Sequence, residues 1–332
     1  MLNAPVLFLI YNRPSPTARV FEAIRKAQPR YLFIAGDGAK NTEDAQKVAE
    51  ARAIITKIDW NCEVKTLFRN ENLGCGIAVR QAITWFFQSV ESGIIIEDDC
   101  LVENSFFSYC ETLLAHYAYQ EQVMVVSAMS FQLYPQKKQD IAQSSYYFSN
   151  FSQIWGWATW RRAWEKLDFD MIGWDEFVRT EKIKQITPHR QAQRFWIQYL
   201  QSYKDKNPNL WATRWWFSVW QARGLTIAPY INLVSNIGFG SDGTNAKSAE
   251  SWFANLPTHP IALPLKHPKS LKVWVEGDHF TYRAFFNPKE KCAFFLKNWL
   301  SQYLPLSLRL ILKKTWKLSF SYFIGSSSKN KI

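Results

Sequence analysis

The chain has 332 residues, of which 47% are hydrophobic, and its 40 Lys and Arg against 28 Asp and Glu give a net charge of +12. This length and apolar content indicate a globular protein, built as one large domain or two small ones. The last 44 residues hold nine Lys and Arg against one acid, so the charge is concentrated in a C-terminal appendage, which argues against a nucleic-acid groove along the main body.

The first residues do not resemble a secretion signal, because MLNAPVLFLIYNRP lacks a positively charged start and its apolar run of about six residues ends before Arg13. No apolar segment approaches the roughly 20 residues that a membrane-spanning helix needs. The cysteines show no CxxC pair and no metal-finger spacing; they stand at positions 62, 75, 100, 110 and 292. We therefore expect reduced thiols in a cytoplasmic protein, and no zinc site.

Short apolar runs alternate with segments of helix length in the first half of the chain. They are rich in β-branched or aromatic residues, and we predict strands at residues 6–11, 31–35, 63–68, 93–97 and 123–128. This alternation is typical of an α/β fold with a mostly parallel sheet flanked by helices. Ligands of such sheets bind beyond the carboxyl ends of the strands. Four polar segments fall there: NRPS, GDGAKN, RNENLGCG and EDD.

The loops after the first three predicted strands offer candidate ligand-binding residues. Asn12 and Arg13 follow the first strand. Asp37 lies between two glycines that let the backbone approach a ligand, although GDG in isolation is more typical of an ordinary turn. In RNENLGCGIAVRQ, which contains Asn72, a Gly-rich turn opens a helix whose free N–H groups, together with Arg80, suit a phosphate. The absence of GxxxxGK[ST] and GxGxxG argues against a P-loop or a dinucleotide fold.

GIIIEDDCLV, residues 93–102, ends an apolar strand in three adjacent carboxylates, Glu97, Asp98 and Asp99. A helix cap is the alternative explanation, since Asn104 or Ser105 is placed to cap the following helix, but a cap needs only one short polar side chain. Adjacent carboxylates repel one another unless a cation or an array of donors lies among them. A hard divalent cation, Mg²⁺ or Mn²⁺, prefers oxygen ligands and commonly bridges a carboxylate to substrate phosphates.

The order of these motifs resembles the nucleotide-diphospho-sugar glycosyltransferases of the GT-A fold, which is Rossmann-like, and in particular the N-acetylglucosaminyltransferase I family and related bacterial sugar transferases. The resemblance covers residues 4–130, is most specific at EDDCLVENSFFSY, and continues through GWATWRRAW and APYINLVSNIGFGSDGTN. It implies that Arg13 and Asp37 hold the uridine. It also implies that Asp98 lies near the ribose or sugar, that Asp99 binds Mn²⁺ or Mg²⁺ on the diphosphate, and that Glu97 faces the donor sugar.

The resemblance does not extend to the general base. Inverting relatives place this carboxylate before a Trp in an acidic DDW stretch, whereas this chain has WATRWWF, with Thr213 and Arg214 in those places. Arg214 is expected to meet the diphosphate or an acidic acceptor instead. The candidate bases are Asp242 in GFGSDGTN and Asp175 or Glu176 in GWDEF, although each is also typical of a turn or a helix start.

Eleven of the 16 tryptophans lie between positions 155 and 252. Most are expected in the core, but several in IWGWATWRRAW and RWWFSVW are expected to line a cleft, because Trp also stacks on sugar rings. We predict a nucleotide-sugar-binding half at residues 1–130, a Trp-rich acceptor-binding half at 131–288 within the same body, and a basic helical tail at 289–332.

The tail contains a basic stripe. In LSLRLILKKTWKLSFSYF, Arg309, Lys313 and Lys317 fall on one face of a helix, while Leu, Ile and Tyr side chains gather opposite. Such an amphipathic helix suits an anionic membrane surface. A helix packed on its own body with a solvated basic face is an equally good explanation.

The sequence therefore favours a metal-dependent glycosyltransferase, cytoplasmic and peripheral to the membrane if the tail binds lipid. Its donor is expected to be a nucleotide sugar, UDP-linked, and its acceptor a glycan or lipid-linked glycan of cell-envelope polysaccharide synthesis. One alternative, a sugar-nucleotide nucleotidyltransferase, requires a GxGTR-like loop where this chain has LIYNRPS. The other, a non-catalytic module that binds RNA or membrane, gives no role to Glu97, Asp98 and Asp99.

Removal of the chain from about Leu304 onward tests the tail. We expect the shortened protein to bind anionic vesicles less tightly, because each Lys or Arg near such a surface contributes about 1 kcal/mol. Hydrolysis of a soluble donor should stay nearly unchanged. Vesicle co-sedimentation and donor hydrolysis measure the two effects, and equal vesicle binding by the short and full chains would show that the tail is structural.

Overall fold

A computed structural model describes residues 1–132, 144–206, 210–239 and 254–286. The chain divides into two compact units, Met1–His279 and Phe280–Ile332. Most of both predicted halves, residues 1–130 and 131–288, belongs to the first unit, and the predicted tail lies outside the described residues. Within the described ranges, no helix is long and apolar enough to cross a membrane.

The ten strands of the described ranges form an eight-stranded sheet and a two-stranded ribbon. They are β1 Val6–Ile10, β2 Tyr31–Gly36, β3 Glu63–Phe68, β4 Ser92–Glu97, β5 Cys100–Val102, β6 Val123–Ser127, β7 Tyr146–Ser149, β8 Trp157–Trp160, β9 Leu225–Pro229 and β10 Val234–Asn236. The order in the large sheet is β3-β2-β1-β4-β8-β6-β9-β7, and β5 pairs with β10. All five strands predicted from the sequence are confirmed, with bounds shifted by at most one residue.

Helices connect most of the strands. The α-helices of the described ranges are α1 Pro14–Ala27, α2 Thr42–Arg52, α3 Cys75–Ser89, α4 Ser105–His116, α5 Arg161–Trp164, α6 Trp174–Arg179, α7 Ile183–Ile186, α8 Arg190–Lys206, α9 Trp211–Gln221 and α10 Val275–Thr281. A 3₁₀ helix spans Ala53–Lys57, and a π-helical turn spans Tyr282–Phe286.

Six strands of the large sheet run in one direction. Strands β1 to β4 are mutually parallel, β8 is antiparallel to both β4 and β6, and β9 is parallel to β6. Only β7 and β8 run the other way in this sheet. The predicted mostly parallel α/β sheet is therefore confirmed, and the carboxyl ends of β1, β2 and β4 meet at one edge, where such folds bind ligands.

The ribbon of β5 and β10 brings a late part of the chain to this edge. The two strands pair antiparallel, with Val234 opposite Val102 and Asn236 opposite Cys100. Beyond the last pair, the Ile237 N–H donates to the Asp99 carbonyl at 2.8 Å. The loop that follows β10 therefore begins against the third carboxylate of EDD.

Helix starts follow local sequence chemistry. Helix α1 begins with a proline, whose missing N–H costs nothing at that position. Asn41 caps α2 by accepting a hydrogen bond from the Asp44 N–H at 2.9 Å. At α4, the side chain of the N-cap residue Asn104 makes no capping bond, and the Glu103 carboxylate accepts the Ser105 N–H at 2.7 Å.

The core is built largely from the strands and from tryptophan. Every residue of β1 and β6 is buried, because both faces of these strands are covered. Most described tryptophans of the Trp-rich half are also buried: positions 157, 160, 164, 174, 196, 211, 215, 216 and 220. Trp155 and Trp274 are half-buried. The expectation that several of them line a cleft is therefore wrong for these core residues, which pack ring against ring.

Four of the five histidines stack in pairs, which the sequence did not predict. The His116 and His267 rings lie 3.9 Å apart, and the His189 and His279 rings lie 3.7 Å apart. His267 also shares a hydrogen bond with the Tyr146 hydroxyl at 2.8 Å. These contacts give the histidines a packing role.

Asp278 is a carboxylic acid buried away from EDD. Its oxygens accept hydrogen bonds from the Ser149 hydroxyl at 2.5 Å and from the Asn150 N–H at 2.8 Å. Burial nevertheless outweighs these two bonds and raises the pKa of Asp278 to about 7. Because the pKa is higher in the folded than in the unfolded state, the stability that the protonated form contributes at low pH is lost as the pH rises through about 7.

Asp278→Asn should remove this pH dependence. The amide keeps an acceptor oxygen for Ser149 and cannot ionise, so the variant should gain stability relative to the wild type between pH 5 and pH 8, by about 1 kcal/mol or more. Melting temperatures across this range measure the gain. Glu50→Gln, the loss of an exposed carboxylate on α2, is the control. Parallel melting curves for wild type and Asp278→Asn would refute a raised pKa.

Candidate active site

The carboxylates of EDD meet Arg13 at the carboxyl ends of β1 and β4. The parallel register places Leu9 of β1 beside Glu97 of β4, so the residues that follow each strand lie side by side. Arg13 Nη2 contacts Asp98 Oδ1 at 2.5 Å, and Nη1 contacts Asp99 Oδ2 at 3.0 Å. The structure thus brings together Arg13, Asp98 and Asp99, which the sequence predicted separately.

Asp98 links the end of β4 to the residues that follow β1. Besides the Arg13 contact, its Oδ2 accepts the Tyr11 N–H at 3.1 Å. Its side chain is only 4% exposed, so both oxygens are used within the protein. Asp98 therefore fixes the position of Arg13 and of the first residue after β1.

Asp99 lies beneath the backbone of Gly238. A Cβ atom at Gly238 would come within 2.3 Å of Asp99 Oδ2 and 2.6 Å of Arg13 Nη1, distances that side-chain atoms do not tolerate. Glycine is therefore required for the chain after β10 to cover this ion pair. The sequence GFGSDGTN gives no signal for this role of Gly238, because nothing local distinguishes a glycine of close approach from a glycine of a turn.

Glu97 carries the least compensated charge of the three. Its half-buried carboxylate has no hydrogen-bond partner among the described residues. Burial raises its pKa, the charges of Asp99 and Asp98 raise it further, and Arg13 only partly opposes them. Burial also raises the pKa of Asp98, against the pull of Arg13. Three carboxylates against one guanidinium leave an excess of negative charge at this point.

The thiol of Cys75 lies in the electrostatic field of the same carboxylates. Cys75 is the first residue of α3, where a helix N-terminus ordinarily favours a thiolate. Here burial raises the pKa of the thiol to about 12, and Glu97, Asp99, Asp37 and Asp98 add to the rise. The field of the carboxylates therefore reaches the start of α3.

The donor set suits a hard cation. Carboxylate oxygens are the ligands that Mg²⁺ and Mn²⁺ prefer, and a divalent ion would offset the excess charge of Glu97 and Asp99. In the described part of the chain, no three His, Cys, Asp or Glu side chains are arranged as a complete metal cage. This is the usual situation for ions that take most of their remaining ligands from water and phosphate.

Asp37 organises the turn before α3. Its carboxylate accepts the N–H groups of Gly38 at 3.0 Å, of Leu73 at 3.0 and 3.1 Å, and of Gly74 at 3.0 Å. Gly38 has no room for a side chain, since a Cβ would lie 2.3 Å from the Glu71 carbonyl carbon. Asp37 therefore lies at the predicted edge, and its oxygens hold the Gly-rich turn in place.

Arg52 fixes the strand ends on either side of that turn. Its Nη2 donates to the carbonyls of Asp37 at 2.9 Å and of Arg69 at 2.5 Å, the residues that follow β2 and β3. Its guanidinium also lies over the Phe68 ring at 4.9 Å. The sequence gave no signal for this role, because Arg52 ends an ordinary polar helix.

A polar network continues the edge beyond Asp37. Asp44, buried at the start of α2, accepts hydrogen bonds from the Tyr11 hydroxyl and from Asn12 Nδ2, the latter at 2.5 Å. Asn72 Nδ2 donates to the Tyr11 hydroxyl at 3.1 Å and to the Gly38 carbonyl at 2.7 Å. The structure thus joins the predicted Asn12 and Asn72 through Tyr11 and Asp44, two residues that sequence reasoning missed.

The remaining predicted residues fall into three groups. Arg80 and Arg214 meet at the Phe169 ring, not at EDD. Asp175 and Glu176 lie on the first turn of α6, with side chains 89% and 61% exposed; they face Lys204 and Lys182, each at 3.5 Å, and contact none of the three carboxylates. Asp242 lies outside the described residues.

No family model matches the chain, and no curated protein is similar to it in sequence. Solved structures similar to it include HddC from Yersinia pseudotuberculosis, with 15% identity over 38% of this chain and 57% of that one, at a TM-score of 0.27. A UDP-glucose pyrophosphorylase complexed with UDP-glucose has 12% identity, over 45% and 63% of the two chains, at 0.25. Mouse xyloside xylosyltransferase 1 has 9% identity, over 66% and 81%, at 0.29.

These neighbours include both a pyrophosphorylase and a glycosyltransferase, which are the two enzyme classes that the sequence weighed. Identities of 9 to 15% and TM-scores below 0.3 do not decide between them. The function of this chain is therefore argued from its own residues.

Gly238→Ala should disturb the ion pair that Gly238 covers. The added methyl group has to displace either Asp99 and Arg13 or the end of β10, at a cost of about 1 to 3 kcal/mol. We expect a lower melting temperature and weaker binding of UDP, measured by thermal shift and calorimetry. Gly36→Ala is the matched control, since its Cβ would meet Phe68 Cδ1 at 3.2 Å and no charged pair. An unchanged UDP affinity in Gly238→Ala would show that ligand binding does not depend on the cover that Gly238 provides.

Proposed function

We propose that this protein is a metal-dependent glycosyltransferase that moves a sugar from a nucleotide-diphospho-sugar, UDP-linked, to a glycan or lipid-linked glycan acceptor in cell-envelope polysaccharide synthesis. The observation that carries the proposal is the group Glu97, Asp98 and Asp99 at the sheet edge, for which Arg13 is the one ion-pair partner within the described residues. Burial and the neighbouring carboxylates raise the pKa of Glu97 to about 8, and a cationic ligand would offset this repulsion and keep Glu97 ionised.

Asp99 and Glu97 would hold the cation. Both oxygens of Asp98 accept hydrogen bonds from Tyr11 and Arg13, whereas Asp99 Oδ1 meets only the weak thiol donor of Cys100, at 3.4 Å. When bound, Mg²⁺ or Mn²⁺ supplies positive charge to the diphosphate that leaves as the bond to the sugar breaks. Arg13 lies beside both aspartates, so its guanidinium is placed to share in neutralising the same phosphates.

The turn held by Asp37 supports nucleotide binding. It fixes Gly74, which adopts a positive φ of 77° just before α3, and thereby presents the free N–H groups of the helix start to the edge. Asn12, Asn72 and the Tyr11–Asp44 pair lie on the same side and offer hydrogen bonds for the base and ribose. Asp37 would then position the turn before α3, in addition to making any direct contact with the uridine.

The acceptor hydroxyl requires a base. Asp175 and Glu176 are exposed and face lysines, which argues against either in the described arrangement. We therefore favour Asp242, which follows a segment, Ile237 to Phe239, that begins against Asp99. Its role is inferred from the chain order alone.

Asp99→Asn tests the metal. The amide keeps the size of the side chain but gives up its charge, so binding of UDP that depends on Mn²⁺ should weaken at least tenfold, and turnover should fall about 10³-fold or more. The folded protein should keep its stability without metal, since one of three crowded carboxylates is neutralised. Melting temperature, response to Mn²⁺ and turnover are measured on one preparation, beside the exposed-site control Asp59→Asn. Near-normal turnover in Asp99→Asn would refute the mechanism.

The same assays distinguish the rival enzyme. Nucleotides and nucleotide sugars are screened by thermal shift with and without Mn²⁺, since a ligand at about 100 times its dissociation constant adds about 2.7 kcal/mol of stability. A transferase releases UDP from a UDP-sugar, whereas a nucleotidyltransferase releases pyrophosphate from UTP and a sugar phosphate. Pyrophosphate release without UDP release would replace the proposed function with this alternative.

A further inference from the structure

Two arginines from distant parts of the chain lie against one phenylalanine. Arg80 of α3 places its guanidinium carbon 4.2 Å from the centroid of the Phe169 ring, and Arg214 of α9 places its own at 5.0 Å. Helices α3 and α9 pack against each other, so the arrangement rests on rigid elements. Each guanidinium gains a cation–π contact with the ring.

The two guanidiniums differ in what they contact. Arg214 is 6% exposed, and its Nη1 donates to the Phe169 carbonyl at 2.5 Å. Burial lowers the pKa of Arg214, against the opposing charges of Asp170 and Asp168. Arg80 is half-buried and, among the described residues, makes neither a hydrogen bond nor an ion pair.

The nearby acids do not neutralise Arg80. Asp168 accepts the N–H groups of Ile172 and Gly173, both at 2.9 Å, so its carboxylate serves its own loop. Asp170 is exposed and acts on Arg214 only through its charge. A planar guanidinium held on a ring, with its N–H edge unused, suits a phosphate or a carboxylate, which it binds through two parallel hydrogen bonds.

This basic pair is distinct from the carboxylate group but close to it. Cys75 starts α3 within the field of Glu97 and Asp99, and Arg80 follows five residues later, about 7.5 Å further along the helix axis. Arg214 belongs to the half of the chain predicted to bind the acceptor. The charge of the donor diphosphate is met elsewhere in the proposed mechanism, by Arg13 and the cation.

We propose that Arg80 and Arg214, seated on Phe169, form a subsite for an acidic group, phosphate or carboxylate, of the acceptor. The assignment rests on the proposed function and narrows it, since the acceptor glycan or lipid-linked glycan then carries a negative charge near the hydroxyl that receives the sugar. The same chemistry could also serve the donor diphosphate, so the experiment separates these two sources.

Inorganic phosphate is the probe, titrated against the full chain at constant ionic strength with and without saturating UDP and Mn²⁺. We expect phosphate to raise the melting temperature of the wild type equally in both conditions. In Arg80→Gln, the affinity for phosphate should fall at least tenfold, while the affinity for UDP should stay within about twofold of the wild type. Arg19→Gln, the loss of an exposed arginine on α1, should behave as the wild type in both titrations.

Three results would overturn the subsite. Displacement of phosphate by UDP, or a tenfold loss of UDP affinity in Arg80→Gln, would assign the arginines to the donor. Equal phosphate binding by the wild type and Arg80→Gln would remove Arg80 from any anion site. Should Arg80→Gln fold poorly, Arg80→Lys keeps the charge and should still lose phosphate affinity several-fold. Absence of UDP binding in the wild type, with phosphate binding still dependent on Arg80, would refute the proposed function and leave the anion site standing.

Discussion

The contact of Arg13 with Asp98 and Asp99 is the constraint on which the rest of the edge depends. Two carboxylates at the end of a buried strand would repel each other, and loss of the cation between them, Arg13, would leave both without a partner, at a typical cost of about 3 to 5 kcal/mol. The guanidinium makes their proximity tolerable, and Asp98 in turn holds the backbone of Tyr11. From this point, the end of β1, the start of α1 and the cover provided by Gly238 are fixed together. The charge that Arg13 leaves unbalanced falls on Glu97, so the same contact sets both the structure and the chemistry of the edge.

The pattern of apolar residues and the local sequence chemistry predicted the main strands and the position of the EDD carboxylates. Four of the five predicted strands are largely apolar runs because both faces of a mostly parallel sheet are covered, and this pattern is visible without any knowledge of pairing. The exception is β3, EVKTLF, which lies at the edge of the sheet and is mostly exposed. The carboxylates of EDD could also be recognised from the sequence. Charged groups at the end of a buried apolar strand cost free energy, so their presence there indicates a functional site. The antiparallel β7 and β8 and the short β5 and β10 gave no comparable signal, because three or four residues cannot establish a period.

What the sequence could not provide is the side-chain geometry created by distant contacts. GDG was typical of a turn, and only the structure shows the Asp37 carboxylate accepting N–H groups from a segment more than 30 residues away. Arg80 was predicted to meet a phosphate, and Arg214 the diphosphate or an acidic acceptor. Their common contact with Phe169 depends on how two helices pack, which the sequence does not show. The tryptophans were also predicted incorrectly from the sequence. A tryptophan side chain suits both stacking on a sugar ring and packing in a core, and only its burial in the structure distinguishes the two roles.

The ribbon that pairs Val102 with Val234 has a consequence for how the protein is made. The chain between these strands contains β6 to β9, so the ribbon has high contact order and closes only after a large loop has been ordered. A nascent chain that ends before β10 contains β1 to β4, with Arg13 and all three carboxylates of EDD, but nothing to cover them. The cover of the Arg13–Asp99 pair by Gly238 is therefore completed late in synthesis. A fragment of the first 130 residues is accordingly a poor minimal domain, even though it contains nearly every polar group of the edge.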